Sequence, residues 1–296
     1  MFDYKLIEAL AMVARDGGFD KAAKALNITQ SAVSQRVKLL EEQAGQVLLA
    51  RTTPPRATKA GRKMLKHYLQ VERLENDLIA EMDERADKGF ASMTLGINAD
   101  SLATWLLDAI RPFLLRERVL LDIRVDDQEQ THRLLKDGDV LGCVSTQDQP
   151  MQGCRIDYIG RMQYRMLAAP EFAARWFPKG LTIEDAGRAP ALMFNRKDEL
   201  HRKLLRQALG ALPAFIPTHY VPSAEKFAEL IASGLACGML PDQQSAPWVR
   251  DGRMVDLAPG HHVPVQLYWH CWNLKSALLE KLTRHLIRGG KTLLKG

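Results

Sequence analysis

The run Phe19-Asp20-Lys21-Ala22-Ala23-Lys24-Ala25-Leu26-Asn27-Ile28-Thr29-Gln30-Ser31-Ala32-Val33-Ser34-Gln35-Arg36-Val37-Lys38-Leu39-Leu40-Glu41 decides the fold of the N-terminal part of this chain. Asn27-Ile28 divides it with a tight turn. Before the turn, Asp20 is placed to cap a short helix through Ala22, Ala23 and Leu26, with Phe19 folding back as an apolar staple. After it, Thr29 is placed to cap a second helix in which Val33, Val37 and Leu40 fall at i, i+4 and i+7 and so share one inward face. At about 100° per residue the opposite face collects Ser31, Ser34, Gln35 and Lys38. Hydroxyls and amides hydrogen-bond base edges and cations neutralise phosphates, so that face suits the major groove of double-stranded DNA. Upstream, Leu6, Leu10 and Val13 recur at helical spacing until Gly17-Gly18, which makes Tyr4 to Asp16 a first helix. Three helices with this turn predict a helix-turn-helix.

Downstream of Gly45, the apolar Val47-Leu48-Leu49 leads into Arg51-Thr52-Thr53-Pro54-Pro55-Arg56, a stiff basic loop with the character of a wing beside the recognition helix. Thr58 is placed to cap a long helix reaching about Ala86, with Met64, Leu65, Tyr68, Val71, Leu74, Leu78 and Met82 along one side. No other helix of this module is free to cover that stripe, so the same helix of a second subunit is the expected partner. Met64, Tyr68, Val71 and Leu78 are the candidate dimerisation residues. Charge supports the module: Lys21 to Arg73 holds eleven basic residues against three acids, whereas Leu74 to Phe90 holds two against six. A basic block in a chain whose net charge is only +6 is the footprint of a nucleic-acid-binding segment.

The whole chain has 296 residues, of which 46% are hydrophobic and 26% charged, enough for packed cores in about two domains. Proline interrupts the longest uncharged stretch, and no basic run followed by an apolar core opens the chain, so a cytoplasmic, nucleoid-associated protein that does not span a membrane is expected. Cys143, Cys154, Cys237 and Cys271 are scattered without ligand spacing and read as buried free thiols. The chain lacks a GxSxG elbow, GxGxxG and P-loop signatures and an HExxH motif, which argues against an enzyme and against a cofactor. His261-His262 and His270-Cys271 read as surface and core residues, so no metal site is expected.

Beyond Gly89 strands and helices alternate. Met93 to Asn98, Val119 to Val125 and Val140 to Ser145 read as strands around a helix from Ser101 to Leu115. A second set comprises Ala191 to Phe194, Thr218 to Val221 and Ala236 to Leu240, with helices Glu199 to Leu209 and Ser223 to Ser233. Val263 to Trp272 returns the chain to the first set, and Ala277 to Ile287 is a last helix. Two α/β subdomains with a crevice beyond the strand ends follow. The turn Asn98-Ala99-Asp100-Ser101, with the Ser101 and Thr104 hydroxyls, is expected to receive a carboxylate. Asp126-Asp127 are expected to hold a cationic group, Ser145 ends the third strand, and Asn195, Asp198, Glu199 and Ser223 face them from the other subdomain.

The run Phe19 to Glu41, followed by Leu48-Leu49 and Arg51-Thr52, resembles the signature of LysR-type transcriptional regulators. The wing, Asn98 to Leu107 and Leu267-Tyr268-Trp269-His270 resemble the branch of that family that responds to arginine and lysine. The resemblance implies a winged helix-turn-helix (residues 1–58), a linker dimerisation helix (59–90) and an effector domain (91–296) resembling periplasmic binding proteins. Within the last, subdomain I is expected to hold residues 91–164 and 270–296 and subdomain II residues 165–269. It further implies a homodimer or a pair of dimers, an operator DNA, a small-molecule effector and RNA polymerase as a further candidate partner. By that likeness Thr29, Gln30, Ser31, Ser34, Gln35, Arg36 and Lys38 contact DNA from the recognition helix, and Arg51 and Arg56 from the wing. Asn195 stands where the branch carries an acid, and Arg196-Lys197 follow it, which predicts a weaker pull on a second cation. A regulator answering another small ligand, and a ligand-blind architectural DNA-binding protein, are the alternatives.

Overall fold

The computed structural model describes residues 2–50, 52–82, 89–126 and 128–294. Helices α1 (Tyr4–Asp16), α2 (Phe19–Ala25) and α3 (Gln30–Ala44) precede a two-stranded antiparallel wing, β1 (Leu49–Ala50) and β2 (Arg56–Ala57), and the long helix α4 (Lys59–Met82). Val33 and Leu40 are fully buried and Val37 nearly so, against Ile7, Leu10 and Val13 of α1. Each such aliphatic side chain contributes about 1.5–3 kcal/mol on burial, so the inward face, not helix propensity, fixes α3. Thr29 Oγ1 accepts from the Ala32 amide at 3.2 Å, and Gly17 ends α1 in the left-handed region. One cap differs from expectation: Gly18, not Asp20, precedes α2, and Phe19 is its first residue, because the left-handed Gly17 has already turned the chain. Thr58 caps α4, accepting from the Gly61 amide at 3.1 Å while donating to the Val47 carbonyl at 2.8 Å.

The apolar stripe of α4 has two covers that sequence did not supply. Met64, Leu65 and Tyr68, expected partly at a subunit interface, pack on the helix-turn-helix core of their own chain, and Leu69 packs on the C-terminal core. Val71 is half-buried, whereas Leu74, Leu78, Ile79 and Met82 are exposed. The expected extension of α4 to Ala86 lies outside the described residues.

The C-terminal part is built on one mixed sheet. Its first half comprises β3 (Ala91–Asn98), α5 (Ala99–Thr104), α6 (Leu106–Arg116), β4 (Val119–Asp126), α7 (Gln128–Asp137) and β5 (Gly142–Ser145). Then come β6 (Cys154–Ala168), α8 (Pro170–Trp176), α9 (Ile183–Ala186), β7 (Ala191–Met193), α10 (Leu200–Leu209), β8 (Thr218–Tyr220), α11 (Ala224–Ala232), β9 (Cys237–Pro241), α12 (Asp242–Arg250) and β10 (Val255–Asp256). The chain closes with β11 (Val263–Trp272) and α13 (Ala277–Leu293). The order is β4-β3-β5-β11-β6-β9-β7-β8, with β10 on β6. Parallel triplets β4-β3-β5 and β9-β7-β8 are joined by the antiparallel pair β11 and β6, which runs from Val263 opposite Tyr164 to Trp272 opposite Cys154 with a register shift between Leu267 and Tyr268. The expected helix Ser101 to Leu115 is two, broken at the buried Trp105. The subdomain boundaries at 164/165 and 269/270 fall inside β6 and β11, two strands that run unbroken from one half to the other. No helix among the described residues is long and apolar enough to cross a membrane.

Candidate functional site

On α3 the outward face is as the periodicity requires. Gln30, Ser31, Ser34, Gln35 and Lys38 are exposed and Arg36 is half-buried on the flank. Lys38 pairs loosely with Glu42 at 3.7 Å, an exposed contact that competes weakly with a phosphate. Glu41 Oε1 accepts from the Leu48 amide at 2.7 Å and the Leu49 amide at 3.1 Å, so one carboxylate sets the wing against α3. Arg56 is exposed on β2, and Arg51 lies outside the described residues. Gly61 lets α4 approach the wing: a Cβ there would come within 2.1 Å of the Leu48 carbonyl oxygen.

Between the two halves of the sheet lies a cavity of about 630 Å³. One wall comes from the end of β3 and start of α5 (Asn98, Ala99, Asp100) with Thr146, and the opposite wall from Phe194 through Lys203 and Gln207. Val263 to Gln266 of β11 form its back. Its anionic end is Asp100, which accepts from the Tyr164 hydroxyl at 2.5 Å. Burial raises the Asp100 pKa, the Tyr164 hydrogen bond opposes that, and the charge of Asp198 across the cavity adds to the rise. Asn98 is 2% exposed, and neither atom of its amide has a partner.

The expected effector residues fare unevenly. Asp100 and Asn195 line the cavity. Ser101, buried with its hydroxyl unpaired, sits directly behind that wall, and Thr104 Oγ1 donates back to the Asp100 carbonyl at 2.6 Å. Ser145 is a wall's neighbour, its hydroxyl accepting from the Gln147 amide at 3.2 Å. Ser223 is not in the lining; it caps α11, accepting from the Lys226 amide at 3.4 Å. Asp127 and the side chain of Asp126 lie outside the described residues; the Asp126 backbone is in register with Asn98. At the Asn98 to Ser101 turn, where a carboxylate is expected, the Asp100 side chain faces the cavity. Lys203 and Gln207, one turn apart on α10, went unnoticed; no strand end marks them, only their i, i+4 spacing on a helix that borders the crevice. Asn195 is occupied locally, accepting from the Lys197 amide at 2.7 Å, and Arg196 turns its guanidinium over the Tyr220 ring, 4.9 Å from the centroid. The acids of that wall are therefore Asp198 and Glu199, the former also receiving the Phe194 and Leu200 amides at 3.2 and 3.0 Å.

Residues 4–62 match the family model of the bacterial regulatory helix-turn-helix protein, lysR family, and residues 91–290 match the LysR substrate binding domain. The HTH-type transcriptional regulator ArgP of Pseudomonas aeruginosa (strain UCBPP-PA14) is 44% identical, with 100% of this chain and 98% of that one covered. Among solved structures, ArgP from Mycobacterium tuberculosis matches with a TM-score of 0.90 at 39% identity, and full-length LysG from Corynebacterium glutamicum with bound effector Arg with 0.80 at 32%, each over 100% of both chains.

Proposed function

Since the chain belongs to the LysR family of helix-turn-helix transcriptional regulators, we propose that it binds an operator DNA as a dimer or pair of dimers and that a basic amino acid, arginine or lysine, tunes that binding. Gln30, Ser31, Ser34 and Gln35 read the major groove, and Arg36, Lys38, Arg51 and Arg56 hold phosphates. The exposed Leu74, Leu78, Ile79 and Met82 of α4 supply the subunit contact. The effector domain spans 91–296, its two halves hinging on β6 and β11.

The observation that carries the effector reading is the partly buried Asp100, held by Tyr164 and faced by Asp198, beside the unpaired Asn98 amide. The ligand's side-chain cation lies at Asp100 and Asp198, Asn98 hydrogen-bonds it, and its carboxylate reaches Lys203 and Gln207. LysG, solved with arginine as its effector, supports the same ligand class here. Ligand bound across both halves shifts their equilibrium and with it the spacing of recognition helices.

Calorimetric titration of the full chain with arginine, lysine, citrulline and agmatine tests this. Arginine or lysine binds saturably; citrulline, lacking the side-chain charge, and agmatine, lacking the carboxylate, bind at least tenfold more weakly, about 1.4 kcal/mol for one charge-assisted contact. Citrulline binding as well as arginine would instead favour a regulator of a neutral ligand.

A further inference from the structure

The wing and the effector domain touch the same side chain. Arg62, in the first turn of α4, donates through one terminal nitrogen to the Ala57 carbonyl of β2 at 3.0 Å. Its Nε lies 3.3 Å from a carboxylate oxygen of Asp137, the last residue of α7 in the effector domain. Both side chains are mostly shielded, at 35% and 25% exposed, which sets this pair apart from the surface ion pairs of the helices around it. The other carboxylate oxygen of Asp137 is 3.7 Å from Arg133, in α7 itself. A second contact makes the junction tight. Gly138, just past the end of α7 at φ +86°, lies so close to α4 that a Cβ would sit 2.6 Å from Lys66 Cβ and 2.9 Å from Lys66 Cα.

The far end of α7 follows the strand that pairs with the cavity-wall strand β3. Gln128 begins the helix just after β4, whose final residue Asp126 is in register with Asn98 of the cavity wall. Ten residues of helix span about 15 Å. The helix is pinned midway where Thr131 Oγ1 donates to the Val144 carbonyl at 2.9 Å. The helix therefore joins the strand beside Asn98 to Asp137 at the α4 junction.

We propose that Arg62 is a positioning residue through which the effector domain holds the wing: Asp137 fixes the guanidinium, and the guanidinium fixes β2 through the Ala57 carbonyl. The geometry of this link stands apart from the effector assignment; its regulatory consequence rests on the wing touching DNA and the cavity taking a ligand.

Amide hydrogen exchange of the full chain, without DNA or ligand, tests it. In Asp137→Asn the amides of residues 48–58 exchange about fivefold faster, the loss expected for one half-shielded ion pair. Arg62→Gln gives the same rise, the double variant adds nothing further, and Asp137→Glu restores protection. Acceleration confined to α7, or wing exchange within about twofold of the parent in Asp137→Asn, overturns the proposal. A chain that passes this test but binds no duplex selected from a random pool would sink the DNA reading and leave the link standing.

Discussion

Replacing Asp100 by asparagine removes the negative charge at one end of the cavity while preserving the size of the side chain and an oxygen for the Tyr164 hydroxyl. Truncating one partner of a buried charge pair costs about 2–5 kcal/mol. Asp100 is only partly buried, and Asp198 and Glu199 remain in the opposite wall, so the lower end applies. About 2 kcal/mol corresponds to roughly 30-fold weaker arginine binding. A pH signature accompanies the loss. Burial and the Asp198 charge raise the Asp100 pKa in the empty site, against the Tyr164 hydrogen bond. On the acid side a cation must displace that proton, so affinity rises with pH until the carboxyl is ionised and then levels off. Calorimetric titration across this range, in buffers of different ionisation enthalpy, reads both the affinity and the proton released. Asp100→Asn should bind more weakly and lose that part of the pH dependence. If the Asp100→Asn chain instead bound arginine as tightly as the parent, with the parent's pH profile, the placement of the cation would be refuted.

Further expectations follow from other sites. Ser34→Ala and Gln35→Ala should weaken operator binding by about 1–3 kcal/mol and relax its sequence preference, while Arg56→Ala should lower affinity evenly across sequences and reduce the salt slope by about one, both read by fluorescence anisotropy. Leu78→Glu, which places a charge on the exposed end of the α4 stripe, should shift the chain toward monomer in sedimentation equilibrium while leaving its helix content by circular dichroism unchanged. Leu40→Ala, at a fully buried position, should destabilise the helix-turn-helix by about 2–5 kcal/mol in denaturant melts. His201 is buried, and desolvation lowers its pKa to about 4 from 6.5. The unfolded chain therefore takes up its proton first as pH falls from 6.5 toward 4, and folded stability drops by up to about 3 kcal/mol over that window. His201→Leu should flatten this part of the acid-denaturation curve.

The helix-turn-helix was legible because its code is local. Val33, Val37 and Leu40 repeat at helical spacing and Thr29 sits one residue before the first turn, so the inward face, the cap and the outward polar face all follow from one stretch. Strand β6 was not, although it is among the longest. Opposite Leu267 and Tyr268 its register skips Ile159, a bulge that interrupts the two-residue alternation there. From Ile159 onward nearly every residue is buried or half-buried, so no alternation marks the strand in the sequence. The stripe of α4 was legible as apolar, but its covers come from α1 and from the C-terminal core, remote in sequence. The rule that ligands gather at strand ends picked out Asp100, Asn195, Asp198 and Glu199, which line the cavity, and also Ser223, whose side chain caps a helix instead. Tyr164, which holds Asp100, comes from a strand that sequence did not reveal.

Coupling between the cavity and the winged domain requires that bound ligand alter how the chain meets DNA. Fluorescence anisotropy reads this on a labelled duplex, selected by the full chain from a random pool, titrated with that chain over a series of salt concentrations with and without saturating arginine or lysine. Affinity should fall steeply and linearly on a log–log salt plot. One of the two amino acids should also displace the curve by at least about fivefold, the low end of allosteric coupling. An affinity flat in salt, or curves that superimpose with arginine, with lysine and with neither, would contradict the coupling.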